Sequence, residues 1–181
     1  WNAGDKVSVL VGNGKYLYTA DSDGISTNLT TESADVPANG TYYALYPYDE
    51  SASLAGGNIT TTLPSAQKAV LNSFTTHLAV ATSTSHSLSF KNVCGLVKVT
   101  VDAADVTKIV FKGNSGETVS GTVDIVVSAT PSWKSVAGNA ETSVTLLPAS
   151  GSSVIAEGDY YFAVLPQTFR KGFKVTAYKG D

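Results

Sequence analysis

This 181-residue sequence is short of charge. Asp, Glu, Lys and Arg together make 15% of it, against roughly 25% in an average soluble chain. Arg170 is the only arginine, which argues against a nucleic-acid surface, because phosphate recognition leans on clusters of Arg and Lys. One cysteine, Cys94, excludes an intrachain disulfide and a thiolate metal cage. Within Asn92-Val93-Cys94-Gly95-Leu96 it reads as a buried small hydrophobe. Methionine is absent and the first residue is Trp1, so the chain reads as a processed or trimmed piece without a signal peptide. No apolar run approaches the roughly 18 residues of a membrane-spanning helix. What fills the space is Ser, Thr and Val, 21 of each. Apolar content of 43% at a net charge of −3 speaks against disorder. A hydroxyl-rich, Val-rich, charge-poor chain has the composition of an all-β extracellular domain, and its length suits one ordinary domain or two small ones.

The dominant rhythm is period two, the signature of half-buried strands. Val119, Gly121, Val123 and Ile125 face one way, with Thr118, Ser120, Thr122 and Asp124 opposite. Val97, Val99 and Val101 alternate with Lys98 and Thr100, and Ile109 and Phe111 with Lys108 and Lys112. Phe173, Val175 and Ala177 alternate with Lys174 and Thr176. Tyr160 to Leu165 is apolar on both faces and predicts a central strand covered on both sides. Further strands are expected near 5–11, 15–20, 41–47, 58–63, 78–82, 86–91, 93–101 and 144–148. Gly12-Asn13-Gly14, Asp23-Gly24, Asn39-Gly40, Gly56-Gly57, Gly113-Asn114 and Gly138-Asn139 supply turn signals between strands. Ser65 to Leu71 is the one candidate for a helical turn, and 127–143, around Pro131 and Trp133, reads as a long surface loop. Many short strands with such punctuation imply a β-sandwich or barrel.

Chemistry is sparse. Gly113-Asn114-Ser115-Gly116 resembles a serine-protease nucleophile turn, and His77 or His86 with Asp102 or Asp105 precede it in the right order. Ser115 follows Asp105 by only 10 residues, too few to bring three separate elements together, so the segment reads as a hairpin loop. Asp21-Ser22-Asp23-Gly24 starts like a calcium loop but lacks the third acid and the distal glutamate. Gly12-x-Gly14 lacks the remainder of a dinucleotide fingerprint. The two histidines have no nearby carboxylate in sequence. Asn28, Asn39 and Asn58 head N-x-Thr sequons, which matter only in a eukaryotic secretory pathway. Tyr42, Tyr43, Tyr46 and Tyr48, with Tyr160 and Tyr161, are candidates for an aromatic platform on which sugars stack, though packing is the commoner fate of strand tyrosines. No catalytic, cofactor-binding or metal-binding residue is assigned, and no residue is assigned to an adhesion surface.

Read in order, a set of phrases carries a resemblance. Trp1-x-x-Gly4-Asp5 leads in, followed by Tyr42-Tyr43-Ala44-Leu45-Tyr46-Pro47-Tyr48 and Leu63-Pro64-x-x-Gln67. Leu88 to Val101 and Ile109-x-Phe111-x-Gly113 come next, then Tyr160 to Pro166 and Gly172-Phe173-Lys174-Val175. The chain resembles the N-terminal domain of the fimbrillin-like surface proteins of Bacteroidales bacteria, over nearly its whole length. The resemblance implies a transthyretin-like Greek-key β-sandwich, a single domain over 1–181, with the family's usual second domain absent from this chain. It implies export as a lipoprotein, attachment to the outer membrane only through an upstream lipid anchor, and a place on the cell surface or fimbrium. The implied role is that of a non-enzymatic pilus subunit, tip adhesin or anchor assembling by strand addition. Partners would be other pilus subunits or surface proteins, and a host protein or glycan. The alternative reading is a carbohydrate-binding surface lipoprotein domain that holds glycans on its tyrosines. The segment Leu88–Val101 fits one long strand bent by a bulge at Gly95, and Pro47, Pro64, Pro148 and Pro166 each end an apolar run.

Overall fold

The computed structural model describes residues 1–180; Asp181, the last residue of the expected 1–181 domain, lies outside the described residues. Among the described residues every regular element is a strand. In chain order they are β1 (Lys6–Val11), β2 (Gly14–Ala20), β3 (Leu29–Thr30), β4 (Tyr42–Tyr46), β5 (Ser53–Ala55) and β6 (Asn58–Leu63). There follow β7 (Ala66–Val70), β8 (Ser73–Phe74), β9 (Ala79–Ser83), β10 (Lys91–Asn92), β11 (Gly95–Val101) and β12 (Val106–Gly113). The last five are β13 (Ser120–Val126), β14 (Ser132–Glu141), β15 (Ser143–Leu147), β16 (Gly158–Val164) and β17 (Phe173–Lys179). They form sheets of order β10-β9-β4-β1-β2-β3, β17-β12-β15-β7-β8, β14-β13-β6-β5 and β11-β16. The fold is all-β and of the β-sandwich class, as the alternation predicts. Two compact units are distinguished among the described residues: Trp1–Thr61, Leu78–Val93 and Val123–Lys134 make the first, and Thr62–His77, Cys94–Thr122 and residues 135–180 the second.

The first unit holds the six-stranded sheet. Gly12, at φ 59°, turns β1 into β2 through a two-residue loop, and Gly56 and Gly57, at φ 58° and 82°, do the same between β5 and β6. These are positive angles that glycine adopts without steric cost. Val7, Val9, Val11, Tyr42, Ala44 and Ala81 form its core, edged by Trp1, whose ring meets Tyr46 and Phe90 edge-on at 5.3 and 5.1 Å. Burial, with the charge and hydrogen bond of Asp5, pushes the Tyr46 phenol up to about 12.

Asp49 ties the segment after β4 to this unit. Its carboxylate accepts hydrogen bonds from Ser51 N (2.8 Å), Ser51 Oγ (2.6 Å) and the buried Thr61 Oγ1 (2.6 Å). Burial alone would raise its pKa, but these bonds, with the charge of Lys15, hold it below its ordinary 3.8. The unfolded chain therefore takes up this proton more readily than the folded one. The stabilisation is present above the unfolded pKa and is lost as pH falls through the lower folded value. Urea titrations at descending pH should show the wild type losing stability below pH 3.8, with a shallower loss in Asp49→Asn; identical acid limbs would contradict this.

The second unit is built on the five-stranded sheet and the β11–β16 pair. Ile109, Phe111, Val119, Val144, Leu146, Tyr160 and Phe162 are central to its core. Phe111 stacks at a tilt on Phe162 with centroids 5.8 Å apart. β15 and β7 run parallel, whereas β12 pairs antiparallel with both β15 and β17.

Several expectations need correction. Ser65 to Leu71 is not a helical turn: Ala66–Val70 is β7, because Gln67 and Ala69 alternate inward while Ala66 and Lys68 face water. The stretch 127–143 is not a long loop, since ten of its residues form β14, and the Gly138-Asn139 pair lies inside that strand. Leu88–Val101 is not one bent strand. Of the expected 86–91 strand only Lys91 pairs, in the two-residue β10 beside β9, and the ladder ends where Val93 N donates to Leu78 O. Gly95 then opens a new ladder with β16. Cys94, at this switch between sheets, is half-buried and not fully enclosed. Tyr160–Leu165 is largely buried as expected, yet β16 pairs with β11 alone in a two-stranded sheet. Gly113–Gly116 is no hairpin, since β12 and β13 belong to different sheets and the segment only connects them. Pro47, Pro64, Pro148 and Pro166 do follow strand ends.

Candidate assembly surface

Among the strands of the second unit that end a sheet, β16 and β17 are treated differently. β16 has β11 on one side. On its other side the side-chain amide of buried Gln67 stands in for a missing peptide group. Its Nε2 donates to Ala163 O at 2.8 Å and its Oε1 accepts from Ala163 N at 3.0 Å. A third bond, Nε2 to Pro64 O at 3.2 Å, fixes the amide. Buried backbone groups must be paired, and here one glutamine pairs two of them.

β17 has no such cover. It pairs over its length with β12, from Val106↔Lys179 to Gly113↔Phe173, with one irregularity between Val106 and Lys108. It is the last strand of its sheet. The sequence Phe-Lys-Val-Thr-Ala-Tyr-Lys is rich in aromatic and β-branched residues, which suit a pleated surface. The turn before it is held by Asn114, whose N and Nδ2 donate to Gly172 O (3.1 Å) and Lys171 O (2.8 Å). Phe173 rests on Phe111 and Phe169, with centroids 5.2 and 5.8 Å apart. The expectation that Phe173, Val175 and Ala177 face a core is nevertheless overturned. Phe173 is 52%, Val175 37% and Tyr178 44% exposed, because the sheet's inner cover stops short of its final strand. Four of the sheet ends are strands of two or three residues, β3, β5, β8 and β10, the usual protection against unwanted pairing. β11 and β14 are the other long end strands: β11 turns Leu96, Lys98 and Thr100 to solvent, and β14 is mostly Ser, Ala, Gly, Lys and Asn.

One exposed ion pair lies on the β11–β16 sheet. Lys98 Nζ lies 2.7 Å from Asp159 Oδ2, and Thr100 Oγ1 donates to Asp159 Oδ1 at 2.6 Å. Hydrogen bonds from Lys98 and Thr100 lower the Asp159 pKa, and the bond to Asp159 raises that of Lys98.

The residues singled out for chemistry take structural roles. Ser115 lies in the turn after β12, where its amide donates to Glu117 at 2.9 Å. His77 packs edge-on against Phe74, and His86 lies 3.4 Å from the Tyr42 hydroxyl. Asp102 and Asp105 flank the β11–β12 connection, Asp105 at φ 61°. Asp21 accepts from Thr30 and Asp23 from the amide of Ala3, so both acids of the calcium-like loop serve its own folding. The tyrosines form no exposed platform. Tyr42 and Tyr160 are buried with hydroxyls on Pro37 O and Ala156 O, and Tyr43, Tyr46, Tyr48 and Tyr161 are half-buried.

No family model matches this chain, and no curated protein matches it. Among solved structures it is similar to a Bacteroides ovatus protein that carries a provisional cell-adhesion assignment. The two superpose with a TM-score of 0.51 at 16% identity, over 99% of this chain and 76% of the other. Likeness at that identity concerns the fold.

Proposed function

We propose that the chain is the N-terminal-type domain of a fimbrillin-like cell-surface protein, a non-enzymatic adhesive and structural component that assembles by strand addition. In this reading it is exported as a lipoprotein and serves in a fimbrium as subunit, tip or anchor, with other pilus subunits or surface proteins as partners. Its support is threefold: the ordered phrases from Trp1 to Val175, the all-β fold, and the similarity to a protein assigned to adhesion. The observation that carries it is the open edge of β17, long, apolar in part and uncapped where the neighbouring β16 edge is capped. Such an edge offers a row of backbone donors and acceptors to a neighbour's strand. Sedimentation velocity over a concentration series tests it. The wild type should associate, and Val175→Lys, which places a charge on an already exposed position, should remain monomeric. Association of equal strength in both would remove β17 from the account.

A further inference from the structure

The outer face of the β17-β12-β15-β7-β8 sheet is basic in an acidic protein. On this face its strands carry Lys68, Lys108, Lys112 and Lys174, Lys179 falling on the other face by alternation, and the five strands hold no Asp or Glu, although the chain as a whole has a net charge of −3. The alternation that sends Ile109 and Phe111 inward turns Lys108, Val110 and Lys112 outward, and the register sets Tyr178, Thr176 and Lys174 opposite them. Lys112 and Lys174 are therefore direct cross-strand neighbours, an arrangement of like charges that destabilises a sheet. Neither lysine has an ion-pair partner among the described residues.

Lys112 and Lys174 border a shallow, open groove of about 350 Å³ on the face of the sheet. Val110 contributes an apolar patch, and Thr176, Tyr178 and Asn114 contribute neutral hydrogen-bonding groups. Lys108 Nζ sits 4.6 Å from the centroid of the Tyr178 ring and steadies it. Asn114 is held through its Nδ2 bond to Lys171 O, which leaves its Oδ1 as an acceptor. Lys68 lies two strands beyond β12 on the same sheet, about 10 Å across at the usual strand spacing. Paired cations, two hydroxyls, an amide and a small apolar patch suit a ligand that is both anionic and polyhydroxylated. We propose that this groove binds an acidic oligosaccharide, with Lys112 and Lys174 on its carboxylate or sulfate and Thr176, Tyr178 and Asn114 on its hydroxyls. A single-stranded nucleic acid fits less well, since bases need free aromatic faces and Lys108 covers one face of the groove's single ring. The site uses the face of the sheet and not its edge, so it stands or falls independently of strand addition.

Calorimetric titration of the whole chain tests this, with trigalacturonate, a sulfated heparin tetrasaccharide, neutral galactotriose and a short oligothymidylate as probes. Saturable binding of either acidic sugar supports the proposal, and which one binds separates carboxylate from sulfate recognition. Lys112→Gln/Lys174→Gln should weaken that binding about tenfold or more, Lys112→Arg should keep it, and Lys91→Gln, on β10, should leave it unchanged. Lys112→Glu should lose binding while raising the melting temperature, because it converts the repulsion with Lys174 into attraction; a loss of binding in that variant cannot then be ascribed to misfolding. The proposal is overturned if neither acidic sugar binds, if the double variant binds as well as wild type, or if galactotriose or oligothymidylate binds as tightly as the acidic sugars.

Discussion

Gly121→Ala is expected to be the most damaging single-methyl change in the chain. Gly121 is buried in β13 at φ 110°, an angle that L-residues rarely adopt, and an added Cβ would collide with the backbone carbonyl of Asn139. Backbone strain of this kind costs about 1–3 kcal/mol and overpacking typically a similar amount. The obstacle is main chain, so no side-chain rotation relieves it. A loss of about 3 kcal/mol would lower the melting temperature by about 6–12 °C for a chain of this size. Gly116→Ala provides the comparison, since its φ is 75° with nothing near the added Cβ. It pays for strain only and should cost about 1 kcal/mol. Thermal unfolding of the two variants side by side measures the difference, and equal losses would show that the Asn139 contact is unimportant.

Gln67→Leu should be nearly as harmful, although it exchanges a polar core residue for an apolar one of similar size. Burial normally favours that exchange. Here it removes the partner of both Ala163 N and Ala163 O, and each buried group left unpaired costs about 1–3 kcal/mol. The expected loss is about 3 kcal/mol. Gln67→Glu separates hydrogen bonding from packing. Ionised, it still accepts from Ala163 N but sets a charge against Ala163 O. Protonated, it donates again. Burial favours its neutral form and raises its folded pKa, so its deficit relative to wild type should shrink as pH falls through that value. Urea unfolding at pH 7 and pH 4.5 provides the comparison, and a pH-independent deficit would contradict the pairing role.

What the sequence discloses and what it hides follow one physical line. Val119 to Ile125, Ile109 with Phe111, and Val97 to Val101 are legible because alternation reports directly on a strand with one buried face. Phe173, Val175 and Ala177 show the same pattern yet stay exposed, because cover is supplied by the opposing layer and is not written in the strand itself. β14 escaped because Ser, Ala and Gly give no alternation to read, and its pairing comes from long-range register. Gln67 does leave a signal, a polar residue at an inward position of the Ala66–Val70 alternation, flanked by the phrase Leu63-Pro64 that carries the family resemblance. The basic groove leaves none, since Lys112 and Lys174 meet only through the β12–β17 register.

Strand addition at β17 is the claim on which the functional reading turns, and amide hydrogen exchange reads it at the edge itself. In the dilute, monomeric chain the β17 amides that do not pair with β12 should exchange rapidly, as unpaired edge groups do. In the assembled protein those same amides should become protected, while the two-residue end strands β3 and β10 keep their rates. Assembly that leaves exchange along β17 unchanged would contradict the account.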